Sequence, residues 1–205
     1  MGFDFFLRGL IIGFSIAAPV GPIGVLCIRR TLAEGRVSGF LSGLGAATAD
    51  AFYGCVAGFG LTYISGVLIH QQGGFRLVGG AFLCYLGLKT FMAKPTGYSA
   101  PASGTGLLGA YVSTFFLTLT NPVTILAFAA IFAGLGIARQ GEDYISAGIL
   151  VLGVFLGSAL WWFFLSRGVD LFRKRFDLQG MRWVNRASGI IILGFGLISL
   201  FGLMS

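Results

Sequence analysis

The chain has 205 residues, of which 56% are hydrophobic and only 10% charged, and its mean hydropathy is +0.90. That proportion of apolar side chains lies outside the range of soluble domains, so the sequence reads as an integral membrane protein. The net charge of +7 is then a topology signal and not the footprint of a nucleic-acid binder.

Six runs are long enough to span, at about 5–28, 38–66, 77–93, 107–137, 144–165 and 187–204, since a crossing takes roughly 20 apolar residues. The first is uncharged from Gly9 to Ile28 but carries Ala18-Pro19-Val20-Gly21-Pro22 in its middle. Pro19 and Pro22 offer no backbone N–H, so the helix must break there. Exposed peptide groups are tolerated at membrane depth only against protein or a watery cavity. A cleavable leader is not expected: Asp4 accompanies Arg8, and the apolar run continues well past Ala17-Ala18.

The second run holds Asp50, the only acidic residue deep inside any span. A carboxyl group there is costly enough that function is the default hypothesis. At 100° per residue it shares a face with Gly39, Gly43, Ala46, Tyr53, Gly54 and Ala57, opposite Leu41, Leu44, Phe52 and Phe59. It therefore points along a small-residue stripe into the bundle. Its candidate roles are proton carrier or ligand of a substrate amine; the plain alternative is a neutral acid bonding across a packed interface.

The third run ends at Lys89, which must snorkel to reach water. Residues 94–106, with Pro95, Pro101 and several Ser, Thr and Gly, read as a connector between two halves. The fourth run is interrupted by Asn121-Pro122 at nearly the depth of Gly21-Pro22 in the first. Asn favours the N-cap and Pro the first helical position, so a helix restarts inside this span as well. The restarts present free N–H groups and the positive ends of half-helix dipoles, which suit a substrate carboxylate; the plain alternative is a pair of kinks that only ease packing. Thr118, Thr120 and Tyr53 are candidate neutral hydrogen-bonding groups, each equally able to bond its own backbone. Trp161, Trp162 and Trp183 are expected to anchor in the membrane interface.

A repeat is visible. Gly80 precedes Gly87-Leu88 in the third run with the spacing by which Gly189 precedes Gly196-Leu197 in the sixth, and the first and fourth runs are the broken ones. Three spans followed by three spans give two halves of opposite orientation. The expected architecture is all-α, one transmembrane domain over 1–205, built as inverted three-helix repeats at 1–93 and 107–205. Loops after the first, third and fifth runs hold eleven Lys and Arg residues against three (Arg8, Arg76, Arg139) on the other side. The positive-inside rule then sets both termini outside; Arg29, Arg30 and the Arg173-Lys174-Arg175 cluster count as cytoplasmic anchors. Cys27, Cys55 and Cys84 have neither paired nor metal-binding spacing, His70 sits alone in an outer loop, and no hydrolase, zinc or nucleotide motif occurs. No cofactor or metal is expected.

Pro19-Val20-Gly21-Pro22, Ile28-Arg29-Arg30, Glu34-Gly35-Arg36, the stretch Gly45 to Asp50 and Asn121-Pro122 together resemble the LysE/RhtB family of amino-acid exporters, over nearly the whole chain. The resemblance maps the family's motif positions onto Pro19, Gly21, Pro22, Asp50, Asn121 and Pro122. It implies efflux of amino acids or related metabolites from a bacterial inner membrane, driven by the proton motive force. Val20 is an extra residue between proline and glycine, and Ile23 stands where a polar residue is common. With one intramembrane acid, neutral or modestly polar amino acids are the expected cargo. Protons and lipid are the other partners, and a homo-oligomer is compatible with the sequence. Two other readings stay open at this point: a membrane thiol-disulfide electron carrier, and a passive small-solute channel.

Overall fold

The computed structural model describes residues 2–19, 21–58, 72–93, 104–121, 123–128, 144–173 and 178–201. The regular structure among them is helical throughout: α1 (Gly2–Ala17), α2 (Pro22–Glu34), α3 (Arg36–Gly58), α4 (Gln72–Phe91), α5 (Gly104–Leu119), α6 (123–128), α7 (Tyr144–Arg173) and α8 (Leu178–Phe201). His70, Pro122, Val20 and residues 94–103 of the expected connector lie outside the described residues.

The first break falls where the prolines put it. α1 ends at Ala17, and α2 begins with Gly21 as N-cap and Pro22 in its first turn; the Val25 N–H closes that turn on the Gly21 carbonyl at 3.0 Å. The two helices meet at 79°, and as a bent pair they are long and apolar enough for a span. α7 and residues 179–201 of α8 each qualify alone. α5 is apolar but stops after 16 residues at the second break. Large apolar side chains such as Phe3, Ile11, Leu77, Leu108, Leu152, Phe164, Ile190 and Ile198 stand exposed on the outer surface, as lipid contact requires.

Packing follows the glycines. α1 lies on α7, α4 on α8, α3 between α5 and α7, and α2 sits centrally against α3, α7 and α8. A Cβ on Gly9 or Gly13 would strike the α7 backbone at Leu150 and Val154, and one on Gly153 or Gly157 would strike α1 at Phe6 and Leu10. Without a hydrophobic drive between helices in lipid, such close backbone approach is what gains dispersion energy. Gly80 and Gly87, marked in the sequence as half of a repeat, face Gly196 and Gly189, the other half, across the α4–α8 seam.

Several expectations need correction. Arg29 and Arg30 are not loop residues: α2 runs on to Glu34. The turn into α3 is Gly35 alone, at φ 103°, its N–H bonding the Thr31 carbonyl at 3.0 Å. Only glycine adopts that backbone conformation without strain. α7 continues past 165 to Arg173, whose guanidinium Nε donates to the Leu32 carbonyl at 3.1 Å, and α8 opens at Leu178, well ahead of 187. In both cases the helix outlasts the apolar run because polar residues such as Arg173 and Asn185 continue it with partners at hand; Asn185 accepts from Arg29 Nε at 3.0 Å. Trp162 is not an interfacial anchor. It is 5% exposed and part of the core, while Trp161 is half-buried with its ring edge-on to Phe14. Trp183 remains exposed.

Candidate functional site

The small-residue stripe of α3 decides where Asp50 goes. A Cβ on Gly43 would collide with the Trp162 side chain, and one on Gly45 with the Tyr111 carbonyl, so α7 and α5 close in on α3 from two sides. Asp50, 3% exposed, consequently reaches α7. There Ser158 Oγ donates to Asp50 Oδ2 at 2.7 Å, and Trp162 Nε1 donates to Ser158 Oγ at 3.1 Å. The direction of the Trp162–Ser158 step is fixed, because an indole N–H can only donate. The Ser158 oxygen accepts from the indole, and its one proton is left for the carboxyl group.

Beside this chain lies a cavity of about 660 Å³, within the range of small-molecule sites. Pro19, Gly21 and Pro22 from the first break, Thr118 and Asn121 from the second, and Asp50 all line it. Tyr53 does not. Its hydroxyl donates to the carbonyl of Leu119, the last residue of α5, and its ring lies 5.4 Å from that of Phe128 on α6. Tyr53 thus braces the second break from behind. Pro122 lies outside the described residues.

The two restarts differ. Asn121 caps α6 as its residue type predicts: its Oδ1 accepts the Val123 N–H, and its carbonyl the Ile125 N–H, both at 3.2 Å. Gly21 has no side chain to cap α2, and Ile23 and Gly24 of that first turn line the cavity. Thr118 Oγ1 donates to the Thr114 carbonyl of its own helix at 2.9 Å, and Thr120 Oγ1 likewise to Phe116 at 2.8 Å, which leaves only their lone pairs for other partners.

Four residues of consequence escaped the sequence reading. Ser158 is an isolated serine in an apolar run, and Trp162 carried an interfacial interpretation. Arg76, counted only as an outer-side charge, lines the cavity. Arg30, counted as a cytoplasmic anchor, is buried. Its Nη1 donates to Ser42 Oγ at 2.8 Å, to the Ala110 carbonyl at 2.9 Å and to Thr114 Oγ1 at 2.9 Å, and its Nη2 to Ser113 Oγ at 2.8 Å. The signal available for Arg30 was the run of hydroxyls at 113, 114 and 118 on α5, which no lipid-facing helix needs. Among the described residues no cluster of His, Cys, Asp and Glu could hold a metal ion.

The sequence matches the family described as LysE type translocator over residues 14–201. It is 26% identical over 198 residues to the "Putative amino acid efflux protein YcgF" of Bacillus subtilis (strain 168), covering 94% of this chain and 93% of that one. It is also 31% identical over 177 residues to the "Uncharacterized membrane protein YahN" of Escherichia coli (strain K12), covering 83% and 77%, and 28% identical over 187 residues to "Uncharacterized membrane protein YrhP" of Bacillus subtilis (strain 168), covering 84% and 87%. No solved structure matches it. A match that begins inside α1 and ends with the last residue of α8 takes in both helix breaks, Asp50 and the cavity between them: the chain belongs to the LysE type translocators.

Proposed function

We propose that this membrane transporter exports amino acids or related small metabolites across a bacterial inner membrane by proton antiport, with Asp50 as the proton or amine site and the helix breaks as the carboxylate site. The observation that carries this reading is the single cavity on which Asp50 and both breaks converge. Membership of a translocator family makes the chain a transporter and not an enzyme. The electron-carrier reading lapses with it; Cys27, Cys55 and Cys84 are free thiols on three different helices.

The chemistry follows from the hydrogen bonds. Ser158 donates to Oδ2 of Asp50, which leaves Oδ1 as the oxygen open to a proton or to a substrate amine. When the carboxyl is ionised, an ammonium group in the cavity neutralises it in the proton's place, because an isolated charge at this depth is costly. Substrate amine and proton therefore exclude one another, and that exclusion is antiport. A zwitterion leaving as one proton enters moves one positive charge inward, favoured by about 2.3 kcal/mol per 100 mV of inside-negative potential. The packing also supports the inverted repeat: the pairs α1·α7, α3·α5, α3·α7 and α4·α8 exchange among themselves when the first three spans are swapped with the last three.

The test is counterflow and pH-gradient-driven export in proteoliposomes. Asp50→Asn is expected to abolish gradient-driven accumulation. Full gradient-driven export by that variant would remove Asp50 from the mechanism, and flux indifferent to the gradient in the unaltered protein would mark a passive channel.

A further inference from the structure

Asp50 is not the only ionisable side chain on the cavity wall. Arg76, near the start of α4, lines it too, and no negative residue other than Asp50 does so among the described residues. The two reach the cavity from different helices, one from the middle of α3 and the other from the outer end of α4. Between them the wall is largely apolar, with Ile16, Leu83, Leu117 and Phe195 among its residues. Asp50 and Arg76, residues of opposite charge on the wall of one space of this size, form a complementary frame for a molecule bearing one ammonium and one carboxylate. The start of α2 assists on the positive side, since no side chain caps it and its first-turn residues line the same wall. The start of α6 is already occupied by Asn121 and contributes less.

We infer that Arg76 is a specificity-determining residue: it receives the substrate carboxylate while Asp50 receives the ammonium. The cavity thereby accepts zwitterions and discriminates against amines or acids bearing only one of the two charges. This rests on the amino-acid reading above and deepens it. A guanidinium suits the task because its forked donors match a carboxylate in two parallel bonds, which an ammonium or a helix end does not offer. A second ammonium, as on a basic amino acid, meets no second acid on this wall among the described residues and is disfavoured.

The experiment uses the purified full-length protein in nanodiscs and three probes: whichever of the twenty amino acids binds most tightly, its α-amide, and its N-acetyl derivative. The amide keeps the ammonium and loses the carboxylate, and the N-acetyl form does the reverse. Wild-type protein is expected to bind the amino acid on the order of ten- to a hundredfold more tightly than its amide, as befits loss of a charge-assisted contact. Arg76→Gln should weaken the amino acid to the level of the amide while leaving amide binding unchanged, which also certifies that the variant is folded. Arg76→Lys should recover part of the difference. If Arg76→Gln binds the amino acid as wild type does, or loses amino acid and amide equally, the role of Arg76 is refuted while the amino-acid reading stands. If no amino acid binds the wild-type protein, both fall together.

Discussion

At the scale of single residues, the case turns on how three side chains share hydrogen bonds. Asp50 accepts from Ser158, which accepts from Trp162. Because donor and acceptor roles are fixed at the indole, the chain holds the carboxyl in one orientation, and its parts should act as a unit. Ser158→Ala removes the proton given to Asp50 and strands the indole N–H in a buried site, at about 1–3 kcal/mol. Thermal unfolding of the purified protein should show that loss. The sharper measurement is a double-mutant cycle: once Asp50→Asn is in place, Ser158→Ala should cost less, with a coupling energy of about 0.5–3 kcal/mol. Additive losses would mean that Ser158 merely packs. Asp50 itself was legible in the sequence, since an acid inside an apolar run has no cheap explanation. Ser158 was not, because a serine bonding its own helix and a serine orienting a carboxylate look identical until the facing helix is placed.

At the scale of elements, the breaks were legible for a covalent reason: proline lacks an N–H wherever it sits, so Pro19, Pro22 and the Asn121 cap could be read without knowing any neighbour. Helix ends were less so. Hydropathy puts Arg30 in a loop because it registers only where apolar character stops, and α2 continues beyond that point on a different energy source. Its guanidinium is surrounded by oxygens whose own protons are spent elsewhere: Ser42 Oγ donates to the Ser38 carbonyl, and Thr114 and Ser113 Oγ to that of Ala110. They are thus left as acceptors, and Arg30 ties α2 to both α3 and α5. Arg30→Gln should destabilise the protein by about 1.5–3 kcal/mol. The loss stays moderate because the hydroxyls retain their backbone bonds after the guanidinium is gone. A variant melting at the wild-type temperature would show that small-residue packing alone fixes α2.

At the scale of the whole molecule, helix directions carry information that composition lacks. Gly9 meets Leu150 and Gly13 meets Val154, so α1 and α7 run parallel; Gly80 faces Gly196 and Gly87 faces Gly189, so α4 and α8 run antiparallel. Tyr111 bonds Thr48 at 2.9 Å and Tyr53 bonds Leu119, which makes α3 and α5 parallel, while Gly43 against Trp162 and Gly54 against Val151 make α3 and α7 antiparallel. If the chain crosses six times, spans one and five, and two and four, must point the same way, and spans two and five, and three and six, opposite ways. All four pairs agree with that count. Orientation then rests on charge alone: with the buried Arg30 left out, ten basic residues stand against three. Asp4 and Arg36 are both exposed and flank the first span. In a cysteine-free background, Asp4→Cys should react with a membrane-impermeant maleimide on intact cells, whereas Arg36→Cys should react only after the membrane is opened. The reverse pattern would place both termini in the cytoplasm and turn the transporter over, so that the end of the cavity at Arg76 would face inward and import would become the natural direction to test.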